Sequence, residues 1–270
     1  MEKKDIASYT LQELEDEMKA IGEKPFRAKQ IYEWIHVKLV ESFDEMTNVS
    51  KALREKLDRE YEIATVSLVE RQISGIDGTN KFLFELSDGN MIESVLMKYK
   101  HGNSICISSQ VGCRMGCRFC ASTIGGLVRN LTASEMLREV YEVQKISGER
   151  ISNIVVMGTG EPLDNYENFV RFIRMVSDGH GLHISQRNIT ASTCGIVPNI
   201  RRLADEKFQI TLALSLHGSN QEKRKSLMPV ANKYELSEVL AACDEYFEKT
   251  GRRITFEYSL VHGVNDTEED

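Results

Sequence analysis

Three cysteines lie within eight residues of one another in the segment "SSQVGCRMGCRFCAST", which runs from Ser108 to Thr123. Cys113, Cys117 and Cys120 have the spacing C-x3-C-x2-C. Thiolates are soft, anionic donors, so clustered cysteines at short spacing are typical of metal or cluster ligands. Three incidental thiols are the alternative, but such grouping is uncommon by chance. The segment therefore predicts a metal centre.

The kind of metal centre depends on how many ligands the chain supplies. A structural zinc ion takes four ligands, usually in two pairs, and no second pair follows here. A fourth zinc ligand would have to come from a distant residue, namely Cys106, Cys194, His217 or Cys243. A cubane iron–sulfur cluster normally takes four thiolates. Three cysteines would leave one iron open for a bidentate small molecule, so a cluster fits better than zinc.

Composition limits the other readings of these cysteines. Six cysteines in 270 residues are too few for a disulfide scaffold, and 41% hydrophobic residues suffice for a core. The charged start "MEKKDIASYT" does not resemble a signal peptide, and no apolar run approaches the ~20 residues of a membrane span. We expect a cytoplasmic protein with no membrane partner. A net charge of −7 gives no global attraction to nucleic acid, although local basic patches remain possible.

The chain divides into three patterns. Residues 1–62 show helical periodicity, with Thr10 as a candidate N-cap, and predict a small accessory domain. Residues 63–103 predict a β-hairpin connector, with "SDGN" as the turn between "KFLFEL" and "MIESVLM". In residues 104–270, strands and helices alternate five times, which is typical of parallel βαβ units. The predicted fold class is therefore α/β.

Polar motifs follow the predicted parallel strands. "GTGEP" ends the second strand, "TASTCG" the third and "SLH" the fourth. Functional residues of α/β barrels collect at the carboxyl ends of strands, and a glutamate there can hold an ammonium group. On local sequence alone, Ser192 could equally be a turn residue at the end of a strand, and His217 could equally be a structural histidine. The candidate cofactor-binding residues are Gly160, Glu161, Ser192, Ser215, Leu216 and His217.

The cysteine loop, placed after the first strand of a βα series, resembles that of the radical S-adenosylmethionine (SAM) superfamily. The resemblance implies a partial (β/α)6-type barrel. It also implies that Cys113, Cys117 and Cys120 hold a 4Fe-4S cluster whose open iron chelates SAM. One electron from the cluster would then cleave SAM to a 5′-deoxyadenosyl radical. The "GTGEP" glutamate, Glu161, would bind the amino end of SAM.

Further motifs narrow the resemblance. "NLTASE", "MGTGEPLDNY", "RNITASTCGIVP", "ALSLHGSN" and "RKSLMPV" resemble the dual-specificity ribosomal and transfer RNA adenine-C2 methyltransferase family. The resemblance implies methylation of C2 of an adenine in the peptidyl transferase centre of 23S rRNA and of the tRNA adenine 3′ of the anticodon. A sister family methylates C8 of the same ribosomal adenine and shares most of these motifs. No single residue of this sequence separates C2 from C8 chemistry.

The resemblance also assigns catalytic roles. One SAM methylates a cysteine near the family's C-terminus, and the radical made from a second SAM activates that methyl group. By motif alignment Cys106 is the second cysteine, which forms a transient disulfide that releases the product, and Glu93 is the base that removes the C2 proton. On local sequence alone, Cys106 is a core thiol and Glu93 a hairpin residue facing water. Flavodoxin or ferredoxin is implied as the electron donor to a monomeric enzyme.

The end of the chain carries a further expectation. "GVNDTEED" resembles the start of a helix that is not continued, and the family's methyl-carrying cysteine and a later SAM-binding asparagine would lie beyond residue 270. We expect a fragment that cannot complete methyl transfer.

Two groups of basic residues are candidate phosphate contacts. One comprises Lys24, Arg27, Lys29 and Lys38, near Trp34, which we expect to be a core residue; the other comprises Arg201, Arg202, Lys207, Lys223, Arg224 and Lys225. A non-catalytic, metal-dependent RNA-binding module is the competing function. A simple electron carrier is disfavoured because the loop has three cysteines rather than four.

Overall fold

The computed structural model describes residues 3–100 and 102–270. The helices in chain order are α1 (Leu11–Ala20), α2 (Phe26–His36), α3 (Lys51–Glu60), α4 (Ala133–Ser147), α5 (Tyr166–Val176), α6 (Val197–Asp205), α7 (Gln221–Leu227) and α8 (Leu236–Thr250). The strands are β1 (Lys4–Asp5), β2 (Tyr61–Glu62), β3 (Val66–Ile73), β4 (Asn80–Leu86), β5 (Met91–Tyr99), β6 (Gly102–Ile107), β7 (Gln110–Gly112), β8 (Leu127–Asn130), β9 (Ile151–Val156), β10 (Ile189–Thr193), β11 (Thr211–Ser215) and β12 (Ile254–Glu257). None of the helices in the described part of the chain is long and apolar enough to cross a membrane.

The N-terminal helices form where the sequence predicts them. Thr10 caps α1 through a capping box with Glu13, which satisfies free backbone N–H groups at the first turn. Each of the three helices buries apolar residues that recur three or four positions apart on one face, such as Leu53 and Leu57 of α3. The expected core residue Trp34 is partly buried against the hydrophobic core.

The main sheet has eight strands in the order β12-β11-β10-β9-β6-β5-β4-β3. The five strands from β12 to β6 are parallel, and β5, β4 and β3 continue the sheet in antiparallel pairing. The predicted α/β class and the Asp88-Gly89 hairpin turn are therefore confirmed, since Leu86 N–H donates to Asn90 O across that turn. The hairpin segment extends the same sheet because β5 pairs directly with β6.

Strand direction brings the polar motifs together. Parallel strands end at one common edge of the sheet, so the segments after β6, β9, β10, β11 and β12 meet there. Strand β5 runs the opposite way, which places its first half at that edge. Ser108, just after β6, accordingly donates its hydroxyl hydrogen to the Glu93 carbonyl at 2.9 Å.

Helices α4 and α5 cover the outer face of the sheet. Thr132 caps α4 in a capping box with Glu135. Helix α5 buries Phe169, Phe172 and Ile173, which face the core at helical spacing. Two buried backbone carbonyls beside this layer, those of Ser109 and Leu131, each accept a hydrogen bond from the Asn165 side chain at 2.8 Å. The loop entering α5 is thus fixed to the segment that precedes the cysteines.

A two-stranded antiparallel pair, β7 with β8, flanks the cysteine loop. Cys113 N–H donates to Gly126 O at 3.0 Å and closes the loop at its base. Gly112 has φ of +72° in this pair, and a Cβ there would lie 2.0 Å from Gly126 O. The loop therefore needs glycine at this position.

Sequence reasoning missed five short elements, namely β1, β2, β7, β8 and α7. Each has seven residues or fewer, which is too short for a hydrophobic repeat to be recognised in the sequence. The last parallel strand, β12, is short, because only Ile254–Glu257 pairs with β11.

We predict that Gly112→Ala destabilises the metal-free protein by about 2–3 kcal/mol, because alanine in a left-handed conformation is strained and its Cβ would displace the Gly126 backbone. Urea unfolding followed by circular dichroism measures this change. Gly125→Ala in the same loop is the matched control, since its Cβ would meet no atom within 4 Å and its φ is not positive. Equal stability of the two variants would contradict this account of the loop.

Candidate active site

A cavity at the carboxyl edge of the sheet contains most of the predicted site residues. Its walls include the three clustered cysteines together with Gly160, Glu161, Ser192, Ser215 and His217, and also Cys194, Met228 and Glu257. Leu216 is not part of the wall; its side chain packs against the hydrophobic core. Glu93 and Cys106 also lie outside this wall.

The three cysteines are free thiols on one loop. Cys113 is buried, whereas Cys117 and Cys120 are partly exposed to the cavity. Burial raises the pKa of the Cys113 thiol, and burial with the neighbouring Cys120 and Cys113 thiols raises the pKa of Cys117 to about 12. Among the described residues, no group of three or more His, Cys, Asp or Glu side chains is arranged to hold a single metal ion.

The glycine-rich turn after β9 lies directly against the chain after β6. Ser109 N–H and Gln110 N–H both donate to Thr159 O, at 2.8 and 3.1 Å. A Cβ on Gly158 would be 2.7 Å from Ile107 O, and one on Gly160, where φ is +110°, would be 2.7 Å from Ser109 Oγ. Only glycine permits this approach, which sets the position of the turn relative to the cysteine loop.

Glu161 is a buried acceptor on the cavity wall. Its carboxylate accepts hydrogen bonds from Cys194 N–H at 2.7 Å and from Leu163 N–H at 3.0 Å. It is only 4% exposed, and burial raises the pKa of its carboxyl despite these hydrogen bonds. A cationic group that enters the cavity would stabilise the negatively charged form of the Glu161 carboxyl.

A polar trio of Ser192, Ser215 and Glu257 also lines the cavity. The Ser192 and Ser215 hydroxyls are 2.8 Å apart, and both donate to Glu257 Oε2 at 3.2 Å. Sequence reasoning selected the two serines because they end parallel strands, and it missed Glu257. The same signal was present, since Glu257 is the last residue of the fifth parallel strand. Two hydroxyls and a carboxylate are suited to bind a diol.

His217 has both a structural and a cavity-facing part. Its backbone is left-handed, with φ of 52°, and its Nδ1 accepts the Ser259 N–H at 3.0 Å. The proton of the neutral ring is therefore on Nε2. The ring packs edge-on against Phe119, the residue before Cys120, with ring centres 4.7 Å apart. Burial lowers the pKa of His217, which favours the neutral form.

Glu93 and Cys106 lie on the strands next to the cavity. In the register of the sheet, Val95 of β5 is opposite Cys106, and Cys106 is opposite Val155 of β9. Side chains alternate between the faces of a strand, so Glu93 is on the same face as Val95 and Cys106. Val155 is in turn opposite Thr190 of β10, and Ser192 is two residues further along that strand. Ser192 is therefore on the same face. The fold thus places all three residues on one face near one edge.

The local surroundings of these two residues differ. Glu93 is half exposed, and its Oε1 is 2.6 Å from Lys81 Nζ. Cys106 is mostly buried, and burial raises the pKa of its thiol to about 11. Glu93 is therefore an accessible carboxylate, whereas Cys106 is held as a neutral thiol.

The cavity wall fits an iron–sulfur cluster with a small-molecule ligand. Three thiols supply soft donors, and Glu161 and the polar trio of Ser192, Ser215 and Glu257 supply separate places for a cationic group and for hydroxyls. Glycines at 158 and 160 leave the backbone close to the cavity without side-chain obstruction.

Comparisons with known proteins agree with this site. Residues 4–63 match the family described as "Ribosomal RNA large subunit methyltransferase N-terminal domain", and residues 107–270 match the "Radical SAM superfamily". A solved structure, a radical SAM methyltransferase from Sphaerobacter thermophilus, superposes with a TM-score of 0.91 at 42% identity. It covers 98% of this chain and 79% of that chain.

Curated relatives are more similar still. A protein of Lachnoclostridium phytofermentans named "Probable dual-specificity RNA methyltransferase RlmN" is 69% identical over 98% of this chain and 75% of its own length. A protein of Clostridium perfringens with the same name is 60% identical over 99% of this chain and 77% of its own length. The chain belongs to the RlmN family of dual-specificity RNA methyltransferases, within the radical SAM superfamily.

Proposed function

We propose that the radical SAM site of this chain serves the methylation of C2 of adenine in 23S rRNA, at the peptidyl transferase centre, and in tRNA, at the adenine 3′ of the anticodon. The observation that supports the proposal most is the single cavity in which Cys113, Cys117 and Cys120 face Glu161 and the serine hydroxyls. Enzymes of this family use a 4Fe-4S cluster and SAM. The cluster, when bound, supplies the electron that cleaves SAM to a 5′-deoxyadenosyl radical.

The residues of the cavity have separate roles in this proposal. The three cysteines hold the cluster, and the buried Glu161 carboxylate binds the amino group of SAM. Ser192 and Ser215 bind its ribose or carboxylate oxygens, and His217 orients the ligand with its Nε2–H. Gly160 keeps the backbone close to the ligand, and Leu216 fixes this strand end because its N–H donates to Glu257 O at 2.9 Å.

Glu93 is proposed as the base that removes the C2 proton of the target adenine. Its carboxylate is half exposed in the first half of β5, and its lysine partner is a flexible side chain that can move away. A carboxylate in this position can accept a proton from a base extruded onto the sheet face.

Cys106, on the same face, is proposed to release the product by forming a transient disulfide with the methyl-carrying cysteine. No motif in this sequence matches the methyl-carrying cysteine, so the proposal assigns that role to no residue of this chain.

The N-terminal helical region is proposed to contact RNA through the start of α2. Lys24, Phe26 and Lys29 are exposed there, and the Arg27 guanidinium lies 4.8 Å from the Phe26 ring centre. Basic residues beside an exposed aromatic ring suit phosphates and an unstacked base. The second basic group is less available, because Arg201, Arg202, Lys223 and Lys225 each pair with a carboxylate. The expectation for Arg224 as a phosphate contact was wrong, since its side chain is fully buried.

The remaining assignments are also proposals. We place the enzyme in the cytoplasm, because a thiolate-held cluster needs a reducing compartment, and take flavodoxin or ferredoxin as its electron donor. We propose a monomer, divided into an accessory domain (1–62), a connector (63–103) and a radical SAM domain (104–270). C8 methylation remains the alternative chemistry, and the position of the methyl group in the product separates the two.

We predict that Glu93→Gln in the active enzyme lowers formation of 2-methyladenosine by about 10²–10⁴-fold, because the general base is lost while the shape is kept. Mass spectrometry of modified rRNA and tRNA measures the product, and 8-methyladenosine from the wild type would favour the sister chemistry. The matched control is Glu85→Gln, an exposed glutamate on the neighbouring strand β4. An unchanged rate for Glu93→Gln would exclude the role of Glu93.

We predict that the double variant Lys24→Gln, Lys29→Gln binds RNA more weakly than the wild type. Because two phosphate contacts are lost, the negative slope of log K against log salt should become less steep by roughly 2. Fluorescence anisotropy with a labelled tRNA over a salt series measures the slope. Lys225→Gln serves as the control, since Lys225 already pairs with Glu235. Equal slopes for the double variant and the wild type would move the RNA interface away from α2.

A further inference from the structure

Arg224 on helix α7 is a buried cation whose charge has no evident partner. Its side chain is 0% exposed, and its Nη2 donates to Cys194 O at 2.6 Å. Its Nε and Nη1 have no hydrogen-bond partner in the described part of the chain. A buried charge is costly unless an opposite charge compensates it, so an arginine in this state requires an explanation.

Three thiols that can carry negative charge, those of Cys194, Cys117 and Cys243, lie near Arg224. Burial lowers the pKa of the guanidinium, and Cys194, Cys117 and Cys243 act in the opposite direction. The environment of Arg224 is therefore electrostatically complementary to thiolates.

Helix α7 also packs directly behind the cysteine loop. Arg118 N–H, between Cys117 and Cys120, donates to Leu227 O at the end of α7, at 2.9 Å. Cys117 packs against a small apolar cluster of Cys194, Leu227 and Met228. Arg224 does not contribute to the cavity wall, but its guanidinium contacts the backbone of the wall residue Cys194.

We infer that Arg224 is the internal counter-charge of the metal centre held by Cys113, Cys117 and Cys120. The inference rests on the proposed function. A 4Fe-4S core bound by three thiolates is net negative, and one-electron reduction adds a further negative charge. A fixed cation in a medium of low dielectric stabilises both states, and the reduced state more strongly. Arg224 thus holds the cluster and favours its reduction without touching the cluster or SAM.

The chain offers a closely matched control in Arg138 of α4. Arg138 is also 0% exposed, its Nη2 donates to a backbone carbonyl, that of Val40, at 2.7 Å, and its Nε and Nη1 also lack hydrogen-bond partners. It differs in its neighbours, because Glu142 Oε1 lies 3.9 Å from its Nη1 and no thiol is among the groups that act most on its pKa. A general effect of removing a buried arginine should therefore appear equally at Arg138.

The test compares Arg224→Gln, Arg224→Met, Arg224→Lys and Arg138→Gln after anaerobic reconstitution with iron and sulfide. Gln keeps a donor for Cys194 O without the charge, Met keeps the apolar stem, and Lys keeps the charge. Two quantities are measured for each protein. They are the cluster midpoint potential, from a dithionite titration followed by electron paramagnetic resonance, and the rise in melting temperature on cluster loading.

We expect Arg224→Gln and Arg224→Met to shift the midpoint potential to more negative values and to reduce the rise in melting temperature on cluster loading. Arg224→Lys should keep a potential close to that of the wild type, and Arg138→Gln should change neither quantity. Because each protein is compared with its own metal-free form, a general loss of stability cancels. If Gln does not fold, the Met variant gives the same comparison.

Two results would overturn the inference separately from the proposed function. A wild-type cluster whose potential and stabilisation are the same in the Gln or Met variants would refute the role of Arg224 alone. Equal shifts in Arg224→Gln and Arg224→Lys would also refute it, because they would show that packing and not charge is responsible. A wild-type protein that assembles no iron–sulfur cluster would contradict the proposed function itself.

Discussion

The site depends on the contact between the turn at residues 158–160 and the chain at residues 107–110. Three backbone hydrogen bonds join these segments, from Gly158 N–H to Ile107 O and from Ser109 and Gln110 N–H to Thr159 O. They require the two backbones to approach so closely that no Cβ fits at Gly158 or Gly160. This contact fixes the start of the cysteine loop relative to Glu161, and so determines where the thiols face the rest of the cavity.

The second constraint is the balance of charge in a buried site. Glu161 has a carboxyl whose pKa is raised by burial, Cys113 and Cys117 are thiols whose pKa values are raised in the same way, and Arg224 is a buried cation. Each group is costly in its charged form when taken alone. Under the proposed function, a cluster supplies the positive irons that thiolates need, and the ammonium of SAM supplies the charge that Glu161 needs. The proposed ligands therefore match the charges of the groups that would hold them.

Much of this arrangement could be predicted from sequence, for physical reasons that differ between residues. Continuous apolar strands and capped helices predict the parallel sheet, and Thr10 caps α1 as expected. Strand-end position selected Ser192 and Ser215, which share the cavity with the cysteines. The roles of Glu93 and Cys106 came from family resemblance, and the structure adds only that both lie on one face near the cavity.

Other features could not be predicted because they depend on three-dimensional neighbours. Arg224 lies in the basic stretch "EKRKS" and was expected at the surface, yet tertiary packing buries it behind the cysteine loop. The pairing of Glu257 with two serines depends on strand register, which composition does not reveal.

The most direct test of the central claim is Mössbauer spectroscopy of the anaerobically reconstituted protein and of Cys194→Ala, before and after addition of SAM. The account predicts a 4Fe-4S cluster in both proteins in which the signal of one iron alone changes with SAM; four irons that all ignore SAM, or a cluster lost with Cys194, would contradict it.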